Sequence, residues 1–384
     1  MIKKEIQKQS FSLQKYEYID ALRGIAIIGV LFAHVSHYSN ITYPSWLQLI
    51  TAVDVGPRGV QLFYVVSAFT LCISFSKRKH IEKHPIRNFY IRRFFRIAPL
   101  FYIAILYYLW QQNFWSGNPN HFSALNIFTT FTFINGFSPN FINNIVFGGW
   151  SIAVETSFYL LLPLLFYLLK TFRKALLITF FSCIGMQLLR LYLLSLPIAI
   201  NSPDFQTFTF EFFPSQLPVF LIGMTTFFML HENVIHSHKK ELICLFFGVC
   251  LLLLIQKFLP LKLIAGHYLY GILFGALIFI LSKYPYKLLV NRLTIFVGKI
   301  SFSLYLCHMG VYYWLTQMGL TNYLPTNPYL NFTIRFVTLF GTSSLVATVL
   351  FLTIEKYGII LGKKIINRYE KVTTTYINSN ARTW

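Results

Sequence analysis

Acidic residues are scarce in this chain: 12 Asp and Glu stand against 33 Lys and Arg in 384 residues, and charged residues together make up only 12%. A soluble globular domain carries about 25% charge, so an ordinary water-soluble fold is excluded. Cysteine is rarer still. Cys72, Cys183, Cys244, Cys250 and Cys307 all lie in apolar stretches without Cys-x-x-Cys spacing, which suggests neither a disulfide framework nor a metal site. No long segment alternates polar and apolar residues as a membrane β-strand does, which excludes a barrel. The basic N-terminal segment lacks a small-residue cleavage site, so the first apolar stretch is expected to be a retained helix.

What is abundant is apolar. The chain is 55% hydrophobic, with 41 Phe and 24 Tyr, and its mean hydropathy is +0.57. Lipid tolerates only helices or closed barrels, so the expected fold is an all-α polytopic membrane bundle. Ten apolar runs can span: roughly 19–38, 59–76, 90–110, 149–169, 174–195, 215–231, 241–256, 267–282, 295–317 and 331–354. With a cytoplasmic N-terminus, 28 of the 33 Lys and Arg fall on the cytoplasmic side or its span ends, as the positive-inside rule requires. Arg58, Lys257 and Lys262 lie in outer loops, and Arg190 and Arg335 within spans. Both termini are therefore expected in the cytoplasm. The same placement makes the net charge of +21 a topology signal, and no nucleic-acid partner is expected.

The expected organisation is a cytoplasmic tail at 1–18, a ten-helix domain at 19–356 and a basic cytoplasmic tail at 357–384, with no appended soluble module. The longer outer loops, about 39–58, 111–148 and 196–214, are rich in Asn, Pro, Ser and aromatics. Within the second, 121–134 is apolar enough to lie at an interface but too short to span.

Arg23 and His34 stand eleven residues apart in the first span. On a helix that is about three turns with a residual angle of roughly 20°, so both leave from one face about 16 Å apart along the axis. Ionisable groups inside a membrane are functional-site hypotheses by default. His34 lies roughly 6 Å below the outer boundary, and Glu155, in the fourth span, roughly 9 Å below it. A carboxylate beside a histidine raises its basicity, which suits general-base work on a hydroxyl. The alternative is that His34 and Glu155 belong to separate structural networks.

Arg92, Arg93 and Arg96 lead into the third span from the cytoplasm. Alone they read as a positive-inside anchor. Beside Arg23 at the same face they also suit a phosphorylated donor, because guanidinium groups bind phosphate bidentately. Such a donor needs a thin arm of roughly 15 Å to reach His34. The pantetheine of an acyl-coenzyme A has that shape, with its 3′,5′-ADP on the arginines. His308 is a further mid-span imidazole and by itself reads as a packing residue. His37 sits nearer the surface, and His231, His236 and His238 fall at a cytoplasmic loop where solvation suffices. No metal site is expected.

Five segments, Asp20-x-Leu-Arg-Gly-Ile-Ala followed by His34, Gly59-Val-Gln-Leu-Phe-Tyr-Val-Val-Ser-Ala-Phe69, Arg92-Arg-x-x-Arg-Ile-x-Pro99, Trp150-Ser-x-x-x-Glu155 and Ser301-Phe-Ser-Leu-Tyr-Leu-x-His308, resemble the integral-membrane acyltransferase 3 family in order and spacing. The resemblance covers about residues 16–356. It implies a ten-helix inner-membrane protein that moves an acyl group, usually acetyl, from cytoplasmic acyl-coenzyme A to a hydroxyl of an extracytoplasmic glycan or glycolipid. Lipopolysaccharide O-antigen and exopolysaccharide are acceptors of that kind. The resemblance marks Arg23 and His34 as essential and Arg92, Arg93, Arg96 and Glu155 as recurrent. Asp20, Trp150, Ser151 and His308 are further candidates from the same motifs. Two departures stand out: Ala68 where the family commonly has Gly, and Gln61 where it often has an acidic residue. Some members carry a fused extracellular esterase-like domain; none is expected after the tenth span here, so either the bundle does the whole reaction or a separate extracytoplasmic partner protein does part of it. A transporter or flippase of acyl groups or glycolipids is the competing reading. Against it, the sequence has no internal repeat and no matched pair of Gly/Pro-broken spans, the usual transporter pointer.

Overall fold

In lipid, each backbone N–H and C=O must find its partner within its own segment, and the apolar runs fold accordingly. The computed structural model describes residues 16–37, 58–113, 122–232, 234, 247–248, 265–321, 323–324 and 326–380. Among these there is no strand. The helices are α1 (Glu17–His37), α2 (Gly59–Arg78), α3 (Pro85–Gln111), α4 (Ala124–Phe131), α5 (Gly149–Leu169), α6 (Phe172–Ser195) and α7 (Pro197–Asn201). They continue as α8 (Pro203–Glu211), α9 (Phe213–His231), α10 (Gly266–Lys283), α11 (Arg292–Lys299), α12 (Ser301–Gln317), α13 (Pro328–Leu350) and α14 (Lys356–Asn380).

Seven helices among the described residues are long and apolar enough to cross a membrane, or eight if the bent pair α11–α12 forms one span. The expected span at 241–256 lies outside the described residues apart from 247–248, as do most of the 39–58 loop, His236 and His238. The expected span at 90–110 lies inside α3, whose first half carries Arg87, Arg92, Arg93 and Arg96. That half is too polar to count with the seven.

The ninth expected span, 295–317, is not one straight helix: α11 and α12 meet at a 78° bend. Two local causes are visible. Asn291 and Thr294 form a reciprocal capping box that starts α11, so the helix begins where its backbone donors are satisfied. Its far end is held against α1, where a Cβ on Gly298 would fall on the Asp20 carbonyl and one on Gly24 on the Thr294 carbonyl. The two glycines let the α1 and α11 backbones touch, and α12 must then turn to run on.

Helix α2 is the centre of the bundle. Tyr64 stacks on Phe220 at 4.4 Å, and Phe158 stacks on the same ring at 4.2 Å. Buried Gln61 donates to Gln216 of α9 at 3.1 Å. Ala68 is fully buried, and its methyl lies where Gly223 of α9 leaves room. Within the 121–134 segment, Ala124–Phe131 form the two-turn helix α4, capped by Ser123 and exposing Leu125 and Phe128. At the other end, α13 passes through a π-helical turn, Phe351–Glu355, into α14. The basic end of the chain is thus helical to Asn380. Glu370 accepts from Asn88 at 2.7 Å and lies 3.9 Å from Arg87, fastening α14 to the start of α3.

Candidate functional site

Helix α1 lays its two marked residues in two adjoining cavities. The arginine cavity, about 240 Å³, is lined by Arg23, Arg93, Arg96, Ser67, Glu155 and Tyr159. The histidine cavity, about 400 Å³, is lined by His34, His308, Glu211, Gln61, Arg58 and Trp150. Val60 and Tyr305 line both. A residue spacing of three helical turns therefore separates a cationic compartment from one carrying two imidazoles.

In the arginine cavity, Arg23 reaches Asp20 and Thr70 at 3.5 Å each. Thr70 in turn donates to the Val66 carbonyl at 2.6 Å. The Arg93 guanidinium lies 5.8 Å from the Tyr159 ring centre, within reach of a cation–π contact. Arg96 pairs with Glu355 at 3.7 Å, and Ser303 donates to the other Glu355 oxygen at 2.7 Å. Glu355 is 1% exposed and ends the π-helical turn. Such turns are rare inside helices and concentrate at functional sites.

Arg92 does not share this cavity. Its guanidinium binds Glu82 bidentately at 2.7 and 3.1 Å, and Arg78 joins the same carboxylate at 3.3 Å. The expected three-arginine cluster is thus divided: Arg92 ties α3 to the preceding loop, while Arg93 and Arg96 face the cavity.

The expected Glu155–His34 pairing is also corrected. Glu155 Oε1 accepts from Ser67 at 2.6 Å and from Tyr159 at 2.7 Å, within the arginine cavity. Depth along a span does not settle which way a side chain points around its helix, and α5 turns Glu155 toward Ser67 of α2. His34 instead lies beside His308, with ring centres 5.2 Å apart. The alternative of two separate networks is the one the packing adopts.

Tyr305 stands at the junction. Its hydroxyl donates to the Gly148 carbonyl at 3.0 Å and accepts from Ser151 at 2.8 Å. Gly148 holds φ at +73°, and a side chain there would meet the tyrosine. Tyr64 donates to the Ser151 carbonyl at 3.2 Å, so the Trp150–Ser151 motif is clamped by two tyrosines. Trp150 itself lines the histidine cavity. Asp20 serves both as the partner of Arg23 and as the backbone contact of Gly298.

Three residues in or beside the two cavities escaped reading from the sequence: Tyr305 and Glu211 line them, and Glu355 stands behind Arg96. Glu355 sits one residue past an apolar run, where a carboxylate looks solvated. Tyr305 reads as one more aromatic. Glu211 lies in what reads as a loop, yet its setting, Phe208-Thr-Phe-Glu-Phe-Phe213, is a carboxylate among phenylalanines and carried a usable signal. Among the described residues, no group of three His, Cys, Asp or Glu is placed to hold a metal ion.

An all-helical multi-pass membrane protein with paired polar cavities is the class that the fold and site define. The chain matches the acyltransferase 3 family, described as "Acyltransferase domain", over residues 16–353, and it belongs to that family. No curated protein and no solved structure matches the chain. The protein is a membrane acyltransferase.

Proposed function

We propose that the protein transfers an acyl group, acetyl in the first instance, from cytoplasmic acyl-coenzyme A to a hydroxyl of an extracytoplasmic glycan such as O-antigen or exopolysaccharide. The observation that carries this reading is the adjoining pair of cavities, cationic around Arg23, Arg93 and Arg96 and imidazole-bearing around His34. Three guanidinium groups suit the phosphates of the donor, and the junction at Tyr305 and Val60 is where its arm would cross. Glu155 and Glu355 then act on the donor side by holding Ser67, Tyr159 and Arg96 in place. The charge distribution of the sequence supports ten spans in the inner membrane with both termini cytoplasmic.

In the transfer, the acceptor oxygen bonds to the acyl carbon and the carbon–sulfur bond breaks. The hydroxyl proton passes to an imidazole and from there to the departing thiolate. His34 serves either as that base or as a transient carrier of the acyl group; both routes balance. His34→Ala should lower transfer by about 10²–10⁴-fold, the usual worth of a positioned base, with the protein still folded in the membrane. Purified protein given acyl-coenzyme A, and mass spectrometry of surface glycans from cells with and without the gene, provide the test. Full transfer by the alanine variant would remove His34 from the chemistry. A wild type that neither transfers nor hydrolyses the donor would favour a transporter.

A further inference from the structure

The histidine cavity holds buried hydrogen-bond acceptors that have no donor. His308 Nδ1 lies 2.6 Å from the Tyr305 carbonyl oxygen. A carbonyl only accepts, so in the neutral ring Nδ1 carries the hydrogen and Nε2 presents a lone pair. That Nε2 is buried without a partner, on a residue 1% exposed. Gln61 is oriented by the same logic. Gln216 donates to the Phe210 carbonyl at 2.7 Å, which turns its amide oxygen toward Gln61. Gln61 therefore meets it with its NH₂ at 3.1 Å, and its own Oε1 is left buried and unpaired. Glu211 Oε2, on a residue 8% exposed, is a third.

Each orphan carries a penalty, and native interiors hold few of them. Three on one cavity that also contains His34 and the Arg58 guanidinium describe a site shaped for hydroxyl groups, which donate to such acceptors. We infer that Gln61, Glu211 and His308 are the acceptor-selecting residues of this enzyme, receiving the hydrogens of neighbouring hydroxyls on one polyhydroxylated ring. The inference rests on the acyl-transfer reading above. It makes Glu211, and not the expected Glu155, the carboxylate that shares a cavity with His34. It also predicts regioselectivity: the hydroxyl that donates to His308 Nε2 is held beside the His34 ring, and its neighbours are engaged by Glu211 and Gln61. A ligand lacking one of these hydroxyls leaves a buried acceptor unpaired and is rejected.

The test uses the full-length protein in its membrane. Glu211→Leu and His308→Phe remove the acceptor atoms; Glu211→Gln and His308→Gln keep an oxygen near each position. Acylation of surface glycans is read by mass spectrometry, and donor binding by the thermal shift that acetyl-coenzyme A gives the purified protein. Loss of one hydrogen bond to a buried acceptor corresponds to about tenfold or more. Glu211→Leu and His308→Phe should each lower acylation at least that far while leaving the donor-induced shift intact, and Glu211→Gln should recover part of the activity. Full acylation in Glu211→Leu and His308→Phe would overturn the assignment. So would loss of the donor-induced shift together with acylation, since that marks a structural role. A wild type showing neither acylation nor donor shift would overturn the acyl-transfer reading and this assignment with it. Arg23→Ala, which should lose the donor shift, keeps the two failures apart.

Discussion

At the scale of single residues, the two cavities separate arginines that look alike in sequence. Arg92 and Arg96 are one turn apart on α3, yet one holds Glu82 and the other faces the arginine cavity. A guanidinium in contact with phosphate contributes roughly 1.5–3 kcal/mol. Arg96→Ala should therefore raise KM for acyl-coenzyme A by about 10- to 100-fold with kcat little changed, the pattern of lost uniform binding. Arg92→Ala should leave KM unchanged and lower thermal stability, because its loss leaves Glu82 to Arg78 alone and unties α3 from the loop before it. Equal KM effects from the two variants would put Arg92 back in the donor site. The motif Arg92-Arg-x-x-Arg was legible as a cluster. Its division was not, because Glu82 is ten residues away and only the turn of the loop brings it back.

At the scale of elements, the bend between α11 and α12 matters most. It lays α11 across the first turns of α1, and α1 carries Arg23 and His34. The α1–α11 contact depends on the absence of side chains at Gly24 and Gly298, where a Cβ would meet a carbonyl oxygen. Overpacking of this kind costs about 1–3 kcal/mol, and more where backbone is struck. Gly298→Ala should lower the Tm of the purified protein and weaken donor binding, since α1 can only make room by shifting Arg23. A variant with unchanged Tm and KM would show that the contact relaxes cheaply. The second element of consequence is the π-helical turn Phe351–Glu355. It joins α13 to α14 and delivers Glu355 to Arg96 and Ser303. Neither the bend nor the turn follows from hydrophobic periodicity, which reports apolar faces and is blind to where a helix is pushed aside.

At the scale of the whole molecule, basic residues gather on alternate connections, and this sets the orientation expected of the bundle. Reporter fusions give the check. A reporter active only in the cytoplasm should work at both termini and after Lys240, and one active only outside should work within 111–148 and 196–214. Activity of the outside reporter at the C-terminus would require an odd number of spans. The tail is part of the same architecture: α14 continues the last long helix and is tied to α3 through Glu370, Asn88 and Arg87.

The sequence by itself determined what is local or compositional. Helical class follows from long apolar runs, membrane residence from scarce charge, and the placing of Arg23 and His34 on one face of α1 from the 3.6-residue period. Only the tertiary structure decided which charges meet. Glu155 joined the arginines, Arg92 left them, and Glu211 and His308 came to His34. The physical reason is that sequence gives a residue its height along a helix. Its bearing around the axis, and the neighbour it finds there, are set by how helices pack against one another.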